Sequence, residues 1–297
     1  MALNIFEKHI VVNTENSTAL IELEANCNMS NAEIKKAIAK GALWLSRGKS
    51  TQRFRRVKKA LKKGDELHFY YNEDVLNQEP TPAILIEDLG EYSVWYKPYG
   101  MLSQGSKWSD HCTIARWAQM HLQPERPVFI VHRLDRAATG LIVIAHTKKM
   151  AQCFSSKFEH HQLEKHYLIL THGDHASRMQ PDNINTDVDG KKALSTFTCV
   201  DHSESLNASL INVKIESGRK HQIRIHSSSI NMPVIGDRLH GNKEKDDVIE
   251  SKVKRSINLQ LCAFSLSFDC PISYQNKNFQ LPEHLKPSLN ALFKTEA

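Results

Sequence analysis

Several classes of protein are excluded by what this chain lacks. In its 297 residues there is no stretch of about eighteen consecutive apolar side chains, so no membrane-spanning helix is expected. The first residues, Met1 to Lys8, show no basic start ahead of an apolar run, which makes a secretory leader unexpected and the cytoplasm the default location. The six cysteines, Cys27, Cys112, Cys153, Cys199, Cys262 and Cys270, are scattered, with no Cys-x-x-Cys pair and no histidine at ligand spacing. Neither a metal site nor a disulfide framework follows, and reduced thiols are expected. A P-loop and a dinucleotide-binding glycine pattern are also missing.

The length suffices for two domains, and 40% hydrophobic residues for a packed core of ordinary size. The net charge of +6 is modest, but its placement is not even. Between Lys35 and Gly64 stand twelve Lys or Arg residues and no acid, with Trp44 and Phe54 among them. A solvated face can carry such a run, yet a single-sign block on a folded segment favours phosphate binding. Arg53, Arg55 and Arg56 lie at its centre. Just before it, Ser30 and Glu33 have capping-box spacing ahead of Ile34, Ala37 and Ile38, which predicts a helix over about 31–40 closed by Gly41. Residues from about Tyr71 to Pro82 turn acidic and Pro-containing and read as a linker.

Beyond it, Ile84–Asp88 and Tyr92–Tyr96 alternate as strands and end at the Lys97-Pro98-Tyr99-Gly100 turn. Thr147 can cap a helix over 148–160 that buries Met150, Phe154 and Phe158. Leu163–Leu170 is a strand carrying Tyr167, and the polar segment from Thr171 to Asp201 reads as hairpins, with a turn at Asp189-Gly190. The charged stretch from Asn242 to Arg255 is expected to be a mobile surface loop.

At the centre lies His132-Arg133-Leu134-Asp135-Arg136-Ala137-Ala138-Thr139-Gly140-Leu141, set between the apolar runs Val128–Val131 and Leu141–Ala145. Two short strands would hold such a loop rigidly, with one acid among two arginines and a histidine. On spacing alone, Asp135 is either a positioned catalytic carboxylate or the partner of a structural ion pair.

This segment resembles the catalytic motif of the RluA family of RNA pseudouridine synthases, with Ala138 and Thr139 where Thr and Ser are usual. Further segments are similar in the expected order: Lys97-Pro98-x-Gly100, Lys165-x-Tyr167, Gly218-Arg219-Lys220-His221-Gln222-Ile223-Arg224-Ile225-His226 and Pro233-Val-Ile-Gly236-Asp237. Residues 31–67 are similar to the S4-like RNA-binding domain that many of these synthases carry, although Ser46-Arg47-Gly48 replaces its usual Asn-Gly hairpin.

The resemblance implies an α+β pseudouridine synthase fold, a mixed, mostly antiparallel sheet with a central cleft, over about 83–297, preceded by an S4-like module over 1–80. It implies an isomerase that breaks the N-glycosidic bond of a uridine, turns the base, and rejoins it to the ribose through carbon. Asp135 would initiate the reaction, Arg224 would pair with it, and Tyr167 would lie under the base and take the C5 proton. Arg133 would slide into the stack vacated by the flipped nucleotide, a role suited to a planar guanidinium. Arg219, Lys220 and Lys97 are candidate RNA-backbone contacts beside Arg53, Arg55 and Arg56. No cofactor and no metal are needed, because no electron or group leaves the system. The expected partner is RNA, ribosomal first and transfer RNA second, bound by a monomer. A hydrolase is the rival enzyme reading, opposed by the absence of a second acid in the Asp135, Tyr167 and Arg224 segments. A catalytically silent RNA-binding protein or chaperone is the other, opposed by the intact Asp135.

Overall fold

Two alternating apolar patterns build two sheets, one in each of two compact units: residues 1–80 with 104–120, and residues 81–103 with 121–297. The computed structural model describes residues 4–177 and 181–293. Parts of the N-terminal stretch, of the polar segment from Thr171 and of the C-terminal tail therefore lie outside the described residues.

In the first unit, β1 (Ile5–Val11), β2 (Leu43–Arg47), β3 (Ser50–Arg53) and β4 (Glu66–Asn72) form an antiparallel sheet in the order β1-β4-β2-β3. Ile10, Leu43, Leu45, Leu67 and Phe69 share its buried face. Against that face pack α1 (Ala19–Asn26) and α2 (Asn31–Ala39) through Leu23, Ile34 and Ile38. The capping box is formed: Ser30 Oγ accepts from the Glu33 amide at 3.3 Å, and a Glu33 carboxylate oxygen accepts from the Ser30 amide at 2.8 Å. The expected linker is shorter than its composition suggested. Residues 73–77 form α3 (Glu73–Asn77), because Asn72 caps it and Leu76 is buried.

Segment 104–120, which enters α4 (Ile114–His121), groups with this unit rather than with the rest of the chain. Asp110 pairs with both Arg53 and Arg55, and the Trp44 indole donates to the Lys107 carbonyl at 2.9 Å. Arg53 also donates to the Gly41 and Ser106 carbonyls and stacks over Trp44. These two arginines are thus occupied in holding the unit together. Lys40 and Arg47 are paired as well, with Glu79 and Asp65. The other eight cations of the block, Arg56 among them, make no ion pair with a described residue.

The second unit is a ten-stranded sheet with a central path β10-β11-β12-β9-β13-β8-β6-β5. Its strands are β5 (Ile84–Asp88), β6 (Tyr92–Lys97), β7 (Phe129–Ile130), β8 (Thr139–Ala145), β9 (Glu164–His172), β10 (Asp182–Ile184), β11 (Ser195–Ser203), β12 (Ala208–Ile215), β13 (Leu261–Asp269) and β14 (Asn276–Gln280). Every pairing is antiparallel except that of β13 with β8. There, Gly140 faces Ala263 so closely that a Cβ would stand 2.3 Å from the Ala263 carbonyl oxygen, and its φ of +118° also favours glycine. The helices are α5 (Lys148–Glu159), α6 (Gln222–Ser229) and α7 (Lys243–Val253). Thr147 caps α5 as expected, and Met150 and Phe154 fill the core between α5 and the sheet. Asp189 and Gly190, with φ of 51° and 69°, make the expected tight turn, bracketed by a Val188–Lys191 bridge.

The charged stretch is not a loop. Asn242 caps α7 by accepting from the Lys245 amide at 3.0 Å, acids sit in its first turn and Lys252 in its last, and Ile249 and Asp246 are buried. Asp246 receives His172 Nε2 at 2.7 Å and the Gly236 amide at 3.1 Å, which ties the helix to β9 and to the loop after α6.

Candidate active site

The loop carrying Asp135 is held at both ends before any side chain enters the site. On one side, Ser103 Oγ donates to the Leu134 carbonyl at 2.8 Å and accepts from the Leu134 amide at 3.0 Å. On the other, β8 begins at Thr139. His132 accepts from the Val143 amide at 2.9 Å and stacks on Phe158, and burial drops its pKa to about 3. It is a neutral structural group.

Three separate segments bring their side chains to Asp135. The loop of residues 131–138, strand β9 with Tyr167, and the start of α6 with His221 and Arg224 line one cavity. Arg224 Nη1 donates to Asp135 Oδ2 at 3.2 Å. Behind it, Asp237 takes the remaining face of the guanidinium, accepting from Nε at 2.7 Å and from Nη2 at 2.6 Å. Burial opposes the Arg224 charge, but the Asp237 and Asp135 carboxylates together outweigh it and raise the arginine pKa. Burial likewise opposes the Asp237 charge, and Arg224 with the His240 and Leu239 amides overcomes it, so the carboxyl lies below its ordinary range. Asp237 is 1% exposed at its side chain and Asp135 27%. One carboxylate anchors the arginine, then, while the other meets the cavity.

His221 is left-handed, φ 57°, where the chain enters α6. Its Nδ1 lies 3.0 Å from His240 Nε2 and its Nε2 lies 3.7 Å from Asp135. Burial pushes the Tyr167 phenol above its usual range and the Asp135 charge adds to this, so the hydroxyl is protonated at neutral pH.

Of the residues singled out from the sequence, Asp135, Tyr167, Arg224, Arg133 and Arg219 line this cavity. Arg133 is exposed and makes no hydrogen bond or ion pair with a described residue. Arg219 Nε is engaged by the Lys192 carbonyl at 3.2 Å, and Lys220 is exposed.

Lys97 is no backbone contact. It is fully buried, and its ammonium donates to the carbonyls of Pro98, Met101 and Arg136 at 3.1, 2.9 and 3.4 Å. It braces the loop from within, and burial lowers its pKa to about 7 although Asp135 pulls the other way. In the unfolded chain Lys97 keeps its proton up to about pH 10.4, whereas in the fold it loses it from about pH 7. Between these limits the unfolded state binds more protons, so this residue makes stability rise with pH by about 1.4 kcal/mol per unit. Urea melts at pH 7, 8 and 9 should therefore show a steeper rise for the wild type than for Lys97→Met. Parallel slopes would refute it.

Asp237, Ser103 and His221 were given no role in the sequence reading. For Asp237 the only signal in the sequence is its place in the Pro233-Val-Ile-Gly236-Asp237 segment.

Known proteins resemble this chain in sequence and in fold. Residues 91–229 match the family described as RNA pseudouridylate synthase. The chain is 26% identical to the ribosomal large subunit pseudouridine synthase D of Borreliella burgdorferi, over 74% of either chain. It is 31% identical to the tRNA pseudouridine synthase C of Pectobacterium carotovorum, over 52% of this chain and 46% of that one. The solved structure of human RNA pseudouridylate synthase domain containing 1 superposes with a TM-score of 0.58 at 20% identity, covering 72% of this chain and 90% of that one. The expected α+β architecture is in place around a carboxylate and its arginine, and over residues 91–229 the chain is similar to the RNA pseudouridine synthases, an isomerase family.

Proposed function

We propose that this protein isomerises a specific uridine in structured RNA, ribosomal RNA of the large subunit first and transfer RNA second, with Asp135 as the catalytic group. The single observation that carries the mechanism is the Asp135–Arg224–Asp237 arrangement: a carboxylate facing the cavity, held by an arginine whose Nε and Nη2 are engaged by a second, buried carboxylate. An anion fixed in this way can open the glycosidic bond and stay in register while the base turns. Tyr167 acts as the platform beneath the ring. Its raised pKa opposes its acting as the C5 base in the free protein. Arg133, exposed on the same loop, fills the stack left by the flipped nucleotide, and Arg219 and Lys220 meet the RNA backbone.

In the same proposal the first unit is an S4-like RNA-binding module working through its unpaired cations, not through Arg53 and Arg55. The protein acts as a monomer, since Asp135, Tyr167, Arg224 and Asp237 come from one chain. It works in the cytoplasm, in keeping with six free thiols. Changing Lys58, Lys59, Lys62 and Lys63 together to Gln should weaken RNA binding and flatten the plot of log affinity against log salt by about 3. An unchanged slope would remove this surface from RNA binding. Deleting 1–80 is a poorer test, because Asp110 and Lys107 would lose their partners.

Mapping pseudouridines in total RNA from cells with and without the protein tests the reading. A site lost from large-subunit rRNA is expected. Loss from tRNA alone would select the second substrate, and loss from neither would overturn the activity.

A further inference from the structure

A second cavity, of about 110 Å³, shares Arg224 with the cavity that Asp135 faces and is lined by Tyr99, Ala137, Arg238, Leu239 and Leu259 along with Gly236 and Asp237. We propose that it is a subsite for the nucleotide adjoining the target uridine, with the base held between Tyr99 and Leu239 and its phosphate met by Arg238. The proposal rests on the function given above and extends it to substrate selection.

Three observations support it. First, Arg224 lines both cavities, so they adjoin through a single side chain, as two consecutive nucleotides of one strand would require. Second, Tyr99 is 36% exposed and Leu239 65%, an aromatic and an aliphatic group offered to solvent at the edge of the site. Every base has a face that such groups can cover, and stacking of this kind is a main source of single-strand affinity. Third, Arg238 is exposed and makes no ion pair with a described residue, while Asp237, the acid in the lining, is saturated by Arg224. The free charge at this edge is positive, as a phosphate requires.

Both walls are also fixed to the catalytic pair. The turn holding Tyr99 is joined to the Asp135 loop by the Gly100 amide donating to the Arg136 carbonyl at 2.9 Å and by Arg136 Nε donating to the Gly100 carbonyl at 3.2 Å. The turn holding Arg238 and Leu239 is wound on Asp237, whose Oδ1 accepts from the Leu239 and His240 amides at 2.9 and 3.0 Å and from Arg224 Nη2. A base seated here would therefore press on the supports of Asp135 and Arg224 together. Selection of the neighbour would show in the rate as well as in affinity.

The test uses the full chain and the RNA fragment carrying the modified uridine, with the nucleotide on each side of it replaced in turn by an abasic ribose. One of the two replacements should slow single-turnover pseudouridine formation about tenfold. Tyr99→Ala or Leu239→Ala should slow the intact RNA by a similar factor, and variant and abasic RNA combined should be no slower than either alone. Factors that multiply, or no effect of either abasic replacement, would overturn the proposal. As a binding measurement, 4-thiouridine at the sensitive neighbour should photocrosslink to the peptide containing Tyr99 or Leu239. Crosslinks confined to other peptides would overturn it too. Wild-type turnover that neither abasic replacement slows would refute the subsite alone, whereas no pseudouridine formed by the wild type in any RNA would refute the isomerase reading.

Discussion

Asp135→Asn should reduce pseudouridine formation by at least about 10³-fold, equivalent to about 4 kcal/mol of barrier, with RNA affinity held within about twofold. The amide keeps the size of the carboxylate and its oxygen can still accept from Arg224, so the loop braced by Lys97 and Ser103 has no reason to move. What disappears is the negative charge aimed into the cavity. Binding survives because phosphates are met by cations elsewhere, and removing an anion does not weaken their field. Melting should change little, since Arg224 retains its paired bonds to Asp237. Single-turnover assays with nucleoside chromatography, run beside a filter-binding titration, would check both halves. Turnover within tenfold of wild type would remove Asp135 from the chemistry.

Asp237→Asn should be the most damaging change that does not face the cavity. It leaves a guanidinium only 9% exposed without its bidentate partner, a loss of about 3–5 kcal/mol and a fall in melting temperature on the order of 10 °C. Pseudouridine formation should fall about 10²-fold even below the new melting point, because Arg224 would no longer be aimed at Asp135. The pH dependence has a definite sign. The Asp237 pKa is depressed in the fold, so its contribution is complete above the ordinary carboxylate range and is lost as pH falls through the lowered value. On acidification from pH 5 to pH 3 the wild type should therefore lose more stability than Asp237→Asn. Identical acid profiles, or a variant that melts and turns over like wild type, would show that the pair is not coupled in this way.

Local chemistry was the most readable part of the sequence. The Ser30–Glu33 box, the Thr147 cap and the Asp189-Gly190 turn are each decided by residues within a few positions of one another, and all three are present. Pairings across long stretches of chain were less accessible. Asp135 and Arg224 are 89 residues apart and came together in the reading through family likeness alone, whereas Asp237 carried no local sign of its partner. Lys97 was misplaced because a Pro/Gly turn ordinarily exposes its lysine, and here the three carbonyls that solvate it inside come from two loops. The helix over 243–253 was missed because it buries only Asp246 and Ile249, too few for an apolar period to show through the charges. Its Asn242 cap was the overlooked signal.

Ala263 pairs with Tyr167 of β9 on one side and with Gly140 of β8 on the other. Tyr167 and Gly140, the latter in the strand that follows the Asp135 loop, are accordingly two strand spacings apart, about 9–10 Å, a gauge set by peptide hydrogen bonds. Side-chain replacement can alter what the cleft recognises but has little hold over its breadth, so divergence among such enzymes should concentrate in the flanking turns and spare the ring-sized gap itself.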